Sequence, residues 1–317
     1  MLTIIILTNS NYDFLSRLLK DVLNEKINIW VLDYGKNLNK TKINFLKKKN
    51  IKLISDKKKV SFGSRYYKYI KLVKTKYAWF VGDDDRLKKI DLKNLIKFIK
   101  INGSCGFTLS YKVFEQDSEI DNNLKIKKLT KKIKSTNFRI LDDIHNLGML
   151  STQIINMDCF SKIEKNLNKK ILLKYGYPHL YIILKIMQKF TDWQKIKNII
   201  VYYRSNKKKI SSGAILKRLD IEFKGYLLPI KEIYCKNLYK KLFKKIFIKN
   251  IISWILFSIQ YAGKKKTFKI LNNNNNISPN SISIYFIKVV IFLIPTRLLI
   301  FFKIIKKSLF SKKSVLE

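Results

Sequence analysis

Asp83, Asp84 and Asp85 stand side by side in a chain with 66 Lys and Arg against 22 Asp and Glu. Adjacent carboxylates raise one another's pKa unless a cation neutralises them. A divalent ion does this, and Mg²⁺ or Mn²⁺ takes hard oxygen ligands while keeping positions for water and substrate phosphate. The three acids directly follow the apolar run "YAWFVG", Tyr77 to Gly82. Ligands of open α/β sheets bind beyond the carboxyl ends of the strands, so the cluster reads as a metal site prepared for a diphosphate. The alternative is an acidic helix N-terminus, with one Asp capping and the others favouring the dipole.

The elements that must position these acids alternate in type. "TIIILT" (Thr3 to Thr8), "INIWVLD" (Ile27 to Asp33), "IKLIS" (Ile51 to Ser55) and "YAWFVG" read as strands. Between them "YDFLSRLLKDVL", "TKINFLKKK" and "SRYYKYIKLVK" carry apolar residues at helical spacing. This alternation predicts parallel βαβ units in an α/β fold with both faces of the sheet covered. "GFTLSYKVFE", "STQIINM" and "IKNIIVYYR" read as further strands, and "ILDDIHNLGML" and "LYIILKIMQKF" as helices. The polar, Lys-rich stretch from Gln116 to Ser135 is expected to be a long loop, a flap.

The net charge of +44 attracts polyanions: nucleic acid, anionic lipid or phosphorylated small molecules. Only seven of the basic residues are Arg, and Lys lacks the bidentate fork favoured for reading bases. The abundance of Lys, Ile and Asn reads first as the drift of an AT-rich genome. With 47% hydrophobic residues, 17 Tyr and 20 Phe, the chain is not a disordered polymer. Cys105, Cys159 and Cys235 are widely spaced and form no CxxC pair, which argues against a disulfide framework or zinc site and fits a reducing cytoplasm. "MLTIIILTNSNY" has no basic residue before its short apolar run and reads as a strand, not a signal peptide.

Three segments in order resemble the family 2 glycosyltransferases of the GT-A fold, particularly the bacterial enzymes that build surface polysaccharide. "TIIILTNSNYDFL" lines up with the family's apolar strand, Pro-Thr-Tyr-Asn-Arg and helix; Thr8 keeps the Thr, and Leu7, Asn9, Ser10 and Asn11 depart from the pattern. Asp33 in "WVLDYG" matches the acid that ends the family's second strand, and "VKTKYAWFVGDDD" matches the approach to its Asp-x-Asp motif, with Tyr67 where Asn is common. The resemblance covers Met1 to Arg204. It implies that Thr8 and Asp33 hold the base and ribose of a nucleotide-diphosphate sugar, and that Asp83 and Asp85, with Asp84 between them, hold the metal bridging the diphosphate. A helix-capping hydroxyl is the plainer reading of Thr8, and an Asx-turn with Gly35 that of Asp33. Arg65 is a candidate for the base or the departing phosphate, against a solvated surface Arg.

An inverting transfer needs a general base for the acceptor hydroxyl. The family's Asp for this task should open the helix in "KYGYPHLYIILKIM", which contains no acid. His179 occupies that helix start and is the candidate base or an additional metal ligand, or else a partly buried capping residue with a structural hydrogen bond; Asp192 in "FTDWQ" is the reserve base, or else a turn former. "GMLSTQIINMDCF" resembles the segment where related enzymes place small polar residues beside the donor sugar or acceptor, which makes Ser151 and Thr152 candidates for that contact, against strand hydroxyls that merely face a polar cleft.

Residues 1–210 are expected to form the GT-A domain, and 211–317 a basic helical extension associated with the membrane surface. In "ISIYFIKVVIFLIPTRLLIFFKIIKKSLFSKK", Lys288, Pro295 and Arg297 argue against a transmembrane helix. Thr296, Lys303 and Lys307 fall opposite Leu298, Phe301 and Ile305, which suits a helix lying in an interface. The expectation is therefore a metal-dependent, inverting sugar transferase. It would be cytoplasmic, peripheral on the inner face of a bacterial membrane, and act on a saccharide or lipid-linked saccharide acceptor of lipopolysaccharide core, O-antigen or capsule synthesis. No specific nucleic-acid partner is expected. The rivals are a basic protein binding nucleic acid without sequence preference and a glycosyltransferase-like scaffold without activity.

Overall fold

β1 (Leu2–Thr8) is buried along its whole length, as a strand covered on both faces must be. The computed structural model of the protein describes residues 1–23, 27–35, 51–56, 59–115, 133–174, 176–204, 211–247, 251–274 and 277. The helix expected at 41–49, residues 116–132 of the expected flap, and the amphipathic segment beyond residue 280 lie outside them.

Among the described residues nine strands form one sheet. β1, β2 (Ile27–Asp33), β3 (Ile51–Ser55) and β4 (Tyr77–Gly82) run parallel in the spatial order β3-β2-β1-β4. The intervening helices α1 (Tyr12–Val22) and α2 (Phe62–Ile70) are the right length for βαβ crossovers. In α1, Tyr12, Leu15, Leu18, Leu19 and Val22 are buried, which is the apolar stripe its spacing announces.

Past β4 the order is not sequential. A two-residue strand, β5 (Arg86–Leu87), precedes α3 (Lys89–Ile101) and β6 (Gly106–Phe114). β7 (Ser135–Asn137), α4 (Ile140–Leu147) and a 3₁₀ turn at Leu150–Thr152 lead to β8 (Gln153–Asn156). β8 lies antiparallel between β4 and β6. Next come α5 (Met157–Glu164), α6 (Lys169–Lys174), α7 (Pro178–Lys189) and β9 (Trp193–Arg204), which pairs parallel with β6 and antiparallel with β5 and β7. Gly106 lets β6 approach β9: a Cβ there would sit 2.2 Å from the Trp193 ring. β1 to β4 are the parallel α/β arrangement that the alternation of elements predicts, and the antiparallel pairings of β8, β5 and β7 make the sheet a mixed one.

The chain divides into two units, one of residues 1–174 and 178–207, the other of 175–177 and 208–317. Among its described residues the second unit, taken by itself, is helical: α8 (Ser212–Ile221), a π-helical segment (Glu222–Leu227), α9 (Leu228–Ile233), α10 (Lys236–Ile246), α11 (Ile252–Ala262) and α12 (Lys264–Asn273). On α10, Tyr239, Leu242, Phe243 and Ile246 are buried while Lys240, Lys241 and Lys244 are exposed. Among the described residues no helix is long and apolar enough to cross a membrane.

Candidate active site

The carboxyl ends of β1, β2, β3 and β4 are joined to one another by backbone bonds just past the strands. Tyr34 N donates to Thr8 O (3.1 Å), Asp56 N to Asp33 O (2.9 Å) and Asp83 N to Leu7 O (3.2 Å). Thr8, Asp33, Asp56 and Asp83 therefore share one edge of the sheet. Thr8 is buried, and its Oγ1 donates to Asp83 Oδ2 at 2.6 Å while accepting from Asn11 N at 3.2 Å. The same hydroxyl closes the turn into α1 and orients the first acid.

Asp33 is buried and accepts four kinds of donor: Ser10 N (3.2 Å), Ser10 Oγ (3.1 Å), Tyr12 Oη (2.5 Å) and Gly35 N (2.9 Å). The Asx-turn to Gly35 is present, and the same carboxylate anchors the β1–α1 loop. Ser10 sits at φ +57°, in the left-handed region that non-glycine residues seldom occupy. A Cβ at Gly35 would lie 2.0 Å from Ser10 Oγ, so this approach of two loops requires glycine.

Arg65 departs from the picture of a solvated surface Arg: it is only 8% exposed. Its Nη2 donates to Asp56 O (3.4 Å), its Nε lies 3.6 Å from Asp56 Oδ2, and its guanidinium stacks 4.7 Å from the centroid of the Tyr34 ring. Tyr34 itself is 38% exposed beside the acids. Burial, then the Asp83 charge, push its phenol above the usual range. Together Asp56, Arg65 and Tyr34 form a fixed aromatic wall at the edge where Asp33 ends. Sequence reasoning did not single out Tyr34 or Asp56, although Tyr34 directly follows Asp33.

The three acids do not cap a helix. β5 comes next, and α3 begins only at Lys89, after Lys88, which makes no side-chain capping bond. Instead the turn is held by surrounding elements. Ser151 Oγ accepts from Gly82 N (3.0 Å), and Trp79 Nε1 donates to Ser151 O (2.8 Å). Arg204 at the end of β9 donates its backbone N–H to Asp85 Oδ1 (3.4 Å) and its Nε to Asp84 O (3.3 Å). Its guanidinium lies between the rings of Phe14 (4.3 Å) and Phe114 (4.5 Å). Arg86 forks onto Asp21 of α1, Nε to Oδ2 at 2.6 Å and Nη2 to Oδ1 at 3.2 Å. Arg204 is a residue beside the acids that the sequence conceals, since it reads there only as the end of a strand.

The carboxylates then differ in environment. Asp85 is 2% exposed, and burial, then the Asp84 charge, raise it to about 7, against a hydrogen bond from Ser151. Asp83 is half-buried and raised to about 6, by burial first and then by Asp84. Asp84 is also half-buried, and burial raises it while the Arg204 charge opposes the shift. Among the described residues no three His, Cys, Asp or Glu side chains form a metal-binding group. Asp85, expected with Asp83 as a metal ligand, is enclosed and accepts from Arg204, whereas Asp83 and Asp84 are half-buried carboxylates that fit a hard divalent cation whose other ligands are substrate phosphates and water.

Placement separates the remaining candidates. Ser151 and Thr152 are buried, and Thr152 Oγ1 is taken by Asn146 and Met149. His179 is 2% exposed, with Nε2 3.1 Å from Gly148 O and its ring 6.2 Å from that of Tyr66. Burial lowers its pKa to about 4. A general base must touch the attacking hydroxyl, and this imidazole instead supports the chain leading into the turn at Ser151. Asp192 accepts a backbone bond from Cys105 (3.0 Å), at the end where β4, β6 and β9 begin. That is the level of Tyr77, six residues and about 20 Å of strand from Asp83 at roughly 3.3 Å per residue, which removes Asp192 as a reserve base. No acid lies in the first turn of α7.

A family model described as Glycosyl transferase family 2 matches residues 3–162. The fold is similar to that of TarS from S. aureus: TM-score 0.57 and 12% identity, with 90% of each chain covered. A structure of the same protein with UDP-GlcNAc gives 0.55 and 13%, covering 90% of this chain and 91% of that one. A mannosyltransferase from Pyrobaculum calidifontis, in complex with GDP-Man and Mn²⁺, gives 0.51 and 10%, covering 94% of this chain and 82% of that one. The comparison with curated proteins yields no match.

Proposed function

Because the chain belongs to glycosyl transferase family 2, we propose that it moves a sugar from a nucleotide-diphosphate donor to a saccharide acceptor, with inversion at the anomeric carbon. The observation that carries this reading is the Thr8–Asp83 bond, which fixes an acid at the shared edge of four parallel strands, next to Asp33 and the Tyr34–Arg65 wall. In this reading the base and ribose lie against Tyr34, backed by Arg65, and the loops of Ser10 and Gly35; Asp33, expected to hold the ribose itself, is enclosed and anchors those loops instead. The diphosphate extends toward Asp83 and Asp84, the carboxylates that would hold Mg²⁺ or Mn²⁺. Such an ion, when bound, neutralises charge on the departing diphosphate. Asp85, Ser151, Arg204 and Thr8 hold the turn in place, so that Asp83 and Asp84 are positioned before the donor arrives.

The acceptor in this reading is lipid-linked, at the inner face of a bacterial membrane, in synthesis of lipopolysaccharide core, O-antigen or capsule. The support is the +44 charge and the Lys face of α10, since basic residues near an anionic surface contribute about 1 kcal/mol each. A scaffold without turnover is the second reading, and the absence of an acid in the first turn of α7 favours it.

The test is thermal stability with UDP, GDP, CDP or dTDP, with and without Mn²⁺, followed by donor turnover. Mn²⁺-dependent stabilisation by one nucleotide, lost in Asp84→Asn, supports the donor site. Equal shifts with every polyanion that survive the substitution would overturn it. Stabilisation without turnover on any saccharide acceptor would favour the scaffold.

A further inference from the structure

Arg is scarce in this chain, and five of the six described Arg side chains have evident work. Arg17 and Arg204 lie over rings; Arg65, Arg86 and Arg218 engage a carboxylate. Arg139 does neither. It lines a cavity of about 700 Å³ between β7, α4 and β9, together with Thr136, Asn137, Asp143, Lys195 and Lys197. The single carboxylate among these residues is already occupied: Asp143 accepts from Lys195 Nζ, and from Asn146 Nδ2 at 3.4 Å. Arg139 and Lys197, both exposed, are thus left as two cations in one concavity, with Thr136 and Asn137 as neutral hydrogen-bonding groups beside them. The cavity is not part of the donor site. β9 bulges at residues 197–199, where Ile196 and Ile200 pair with the consecutive Leu109 and Ser110 of β6, so Lys197 and Arg204 are about five strand steps apart, roughly 17 Å.

We propose that this cleft is a second binding site, for a phosphate-bearing portion of the acceptor. A guanidinium fork and an ammonium suit phosphate oxygens, while the neutral groups suit sugar hydroxyls. Calling the occupant the acceptor rests on the glycosyl-transfer reading; the anion site itself does not.

The experiment is a lysine-acetylation footprint of the full chain read by mass spectrometry, with inorganic tripolyphosphate as the probe. Lys93 and Lys97, exposed on α3, serve as internal controls for general charge. Expected is at least a fivefold slower acetylation of Lys197 at probe concentrations that leave Lys93 and Lys97 unchanged, with the protection lost in Arg139→Gln. Equal protection of all three lysines, or protection that persists in Arg139→Gln, would overturn the site. So would protection by phosphatidylglycerol vesicles and not by tripolyphosphate, because it would make the ligand a lipid headgroup. Nucleotide with Mn²⁺, tested on the same preparation, should not protect Lys197. If no nucleotide stabilises the protein while tripolyphosphate still protects Lys197, the donor reading fails and the anion site stands.

Discussion

Arg204 and Asp85, 119 positions apart, meet where β9 ends: the Arg204 backbone N–H donates to Asp85 Oδ1 at 3.4 Å, and the Arg204 side chain is clamped between Phe14 and Phe114. The last acid of the cluster is thereby held from the far side of the sheet. Replacing Arg204 by Lys keeps the backbone bond but removes the planar stack and the Nε bond to Asp84 O. Expected is a loss of about 1–2 kcal/mol in urea unfolding and a donor turnover lower by about tenfold. A turnover equal to wild type would show that the clamp does not position the acids.

Thr8→Val retains shape but deletes the hydroxyl that bonds Asp83. A hydrogen bond to a charged group contributes about 1.5–3 kcal/mol, and part of that should appear as weaker nucleotide binding. Calorimetric titration with the nucleotide and Mn²⁺ should give a Kd higher by about tenfold; an unchanged Kd would remove Thr8 from the site.

Gly35→Ala places a Cβ 2.0 Å from Ser10 Oγ. The two loops must separate, and Asp33 then loses donors from both. Nucleotide-dependent stabilisation should disappear, with the unfolding temperature of the free protein falling by several degrees for about 1–2 kcal/mol. A variant that binds nucleotide normally would mean that the Asp33 cradle tolerates the change.

His179 gives the pH dependence. Its folded pKa of about 4 lies below the ordinary 6.5 of histidine, so the folded state binds this proton less tightly than the unfolded state. The stability it contributes is complete above pH 6.5 and is lost as the pH falls toward 4. The difference in unfolding temperature between wild type and His179→Asn should therefore change across that window and be flat above it. Turnover of His179→Asn should retain its pH profile near neutrality. Loss of a limb near pH 6–7 would restore His179 as the base.

Asp192→Asn, at the opposite end of the sheet, should leave turnover and nucleotide affinity within twofold of wild type. A larger loss in turnover would contradict its placement.

The local pattern of the chain carried most of the scaffold. β2, β3 and β4 fall on the residues whose run of apolar and β-branched side chains predicts them. The acids were visible because three like charges in a Lys-rich chain are electrostatically costly without a cation. Burial and partners were not visible. Asp83, Asp84 and Asp85 are identical letters, and only β9 and the Ser151 turn, arriving from more than 60 residues away, make Asp85 a buried support and leave Asp83 and Asp84 half-exposed. The same holds for Arg65, a lone Arg in a basic loop until β2 and β3 bring Tyr34 and Asp56 against it. It holds too for His179, whose helix start gives no sign that Gly148 will cover it. Sequence spacing determines strands, helices and the edge at which ligands gather, because those depend on neighbours a few residues apart. Which side chain meets solvent and which is enclosed depends on the order of strands in the sheet. That order places β8 between β4 and β6 and returns β9 to the acids, and only the tertiary structure decides it.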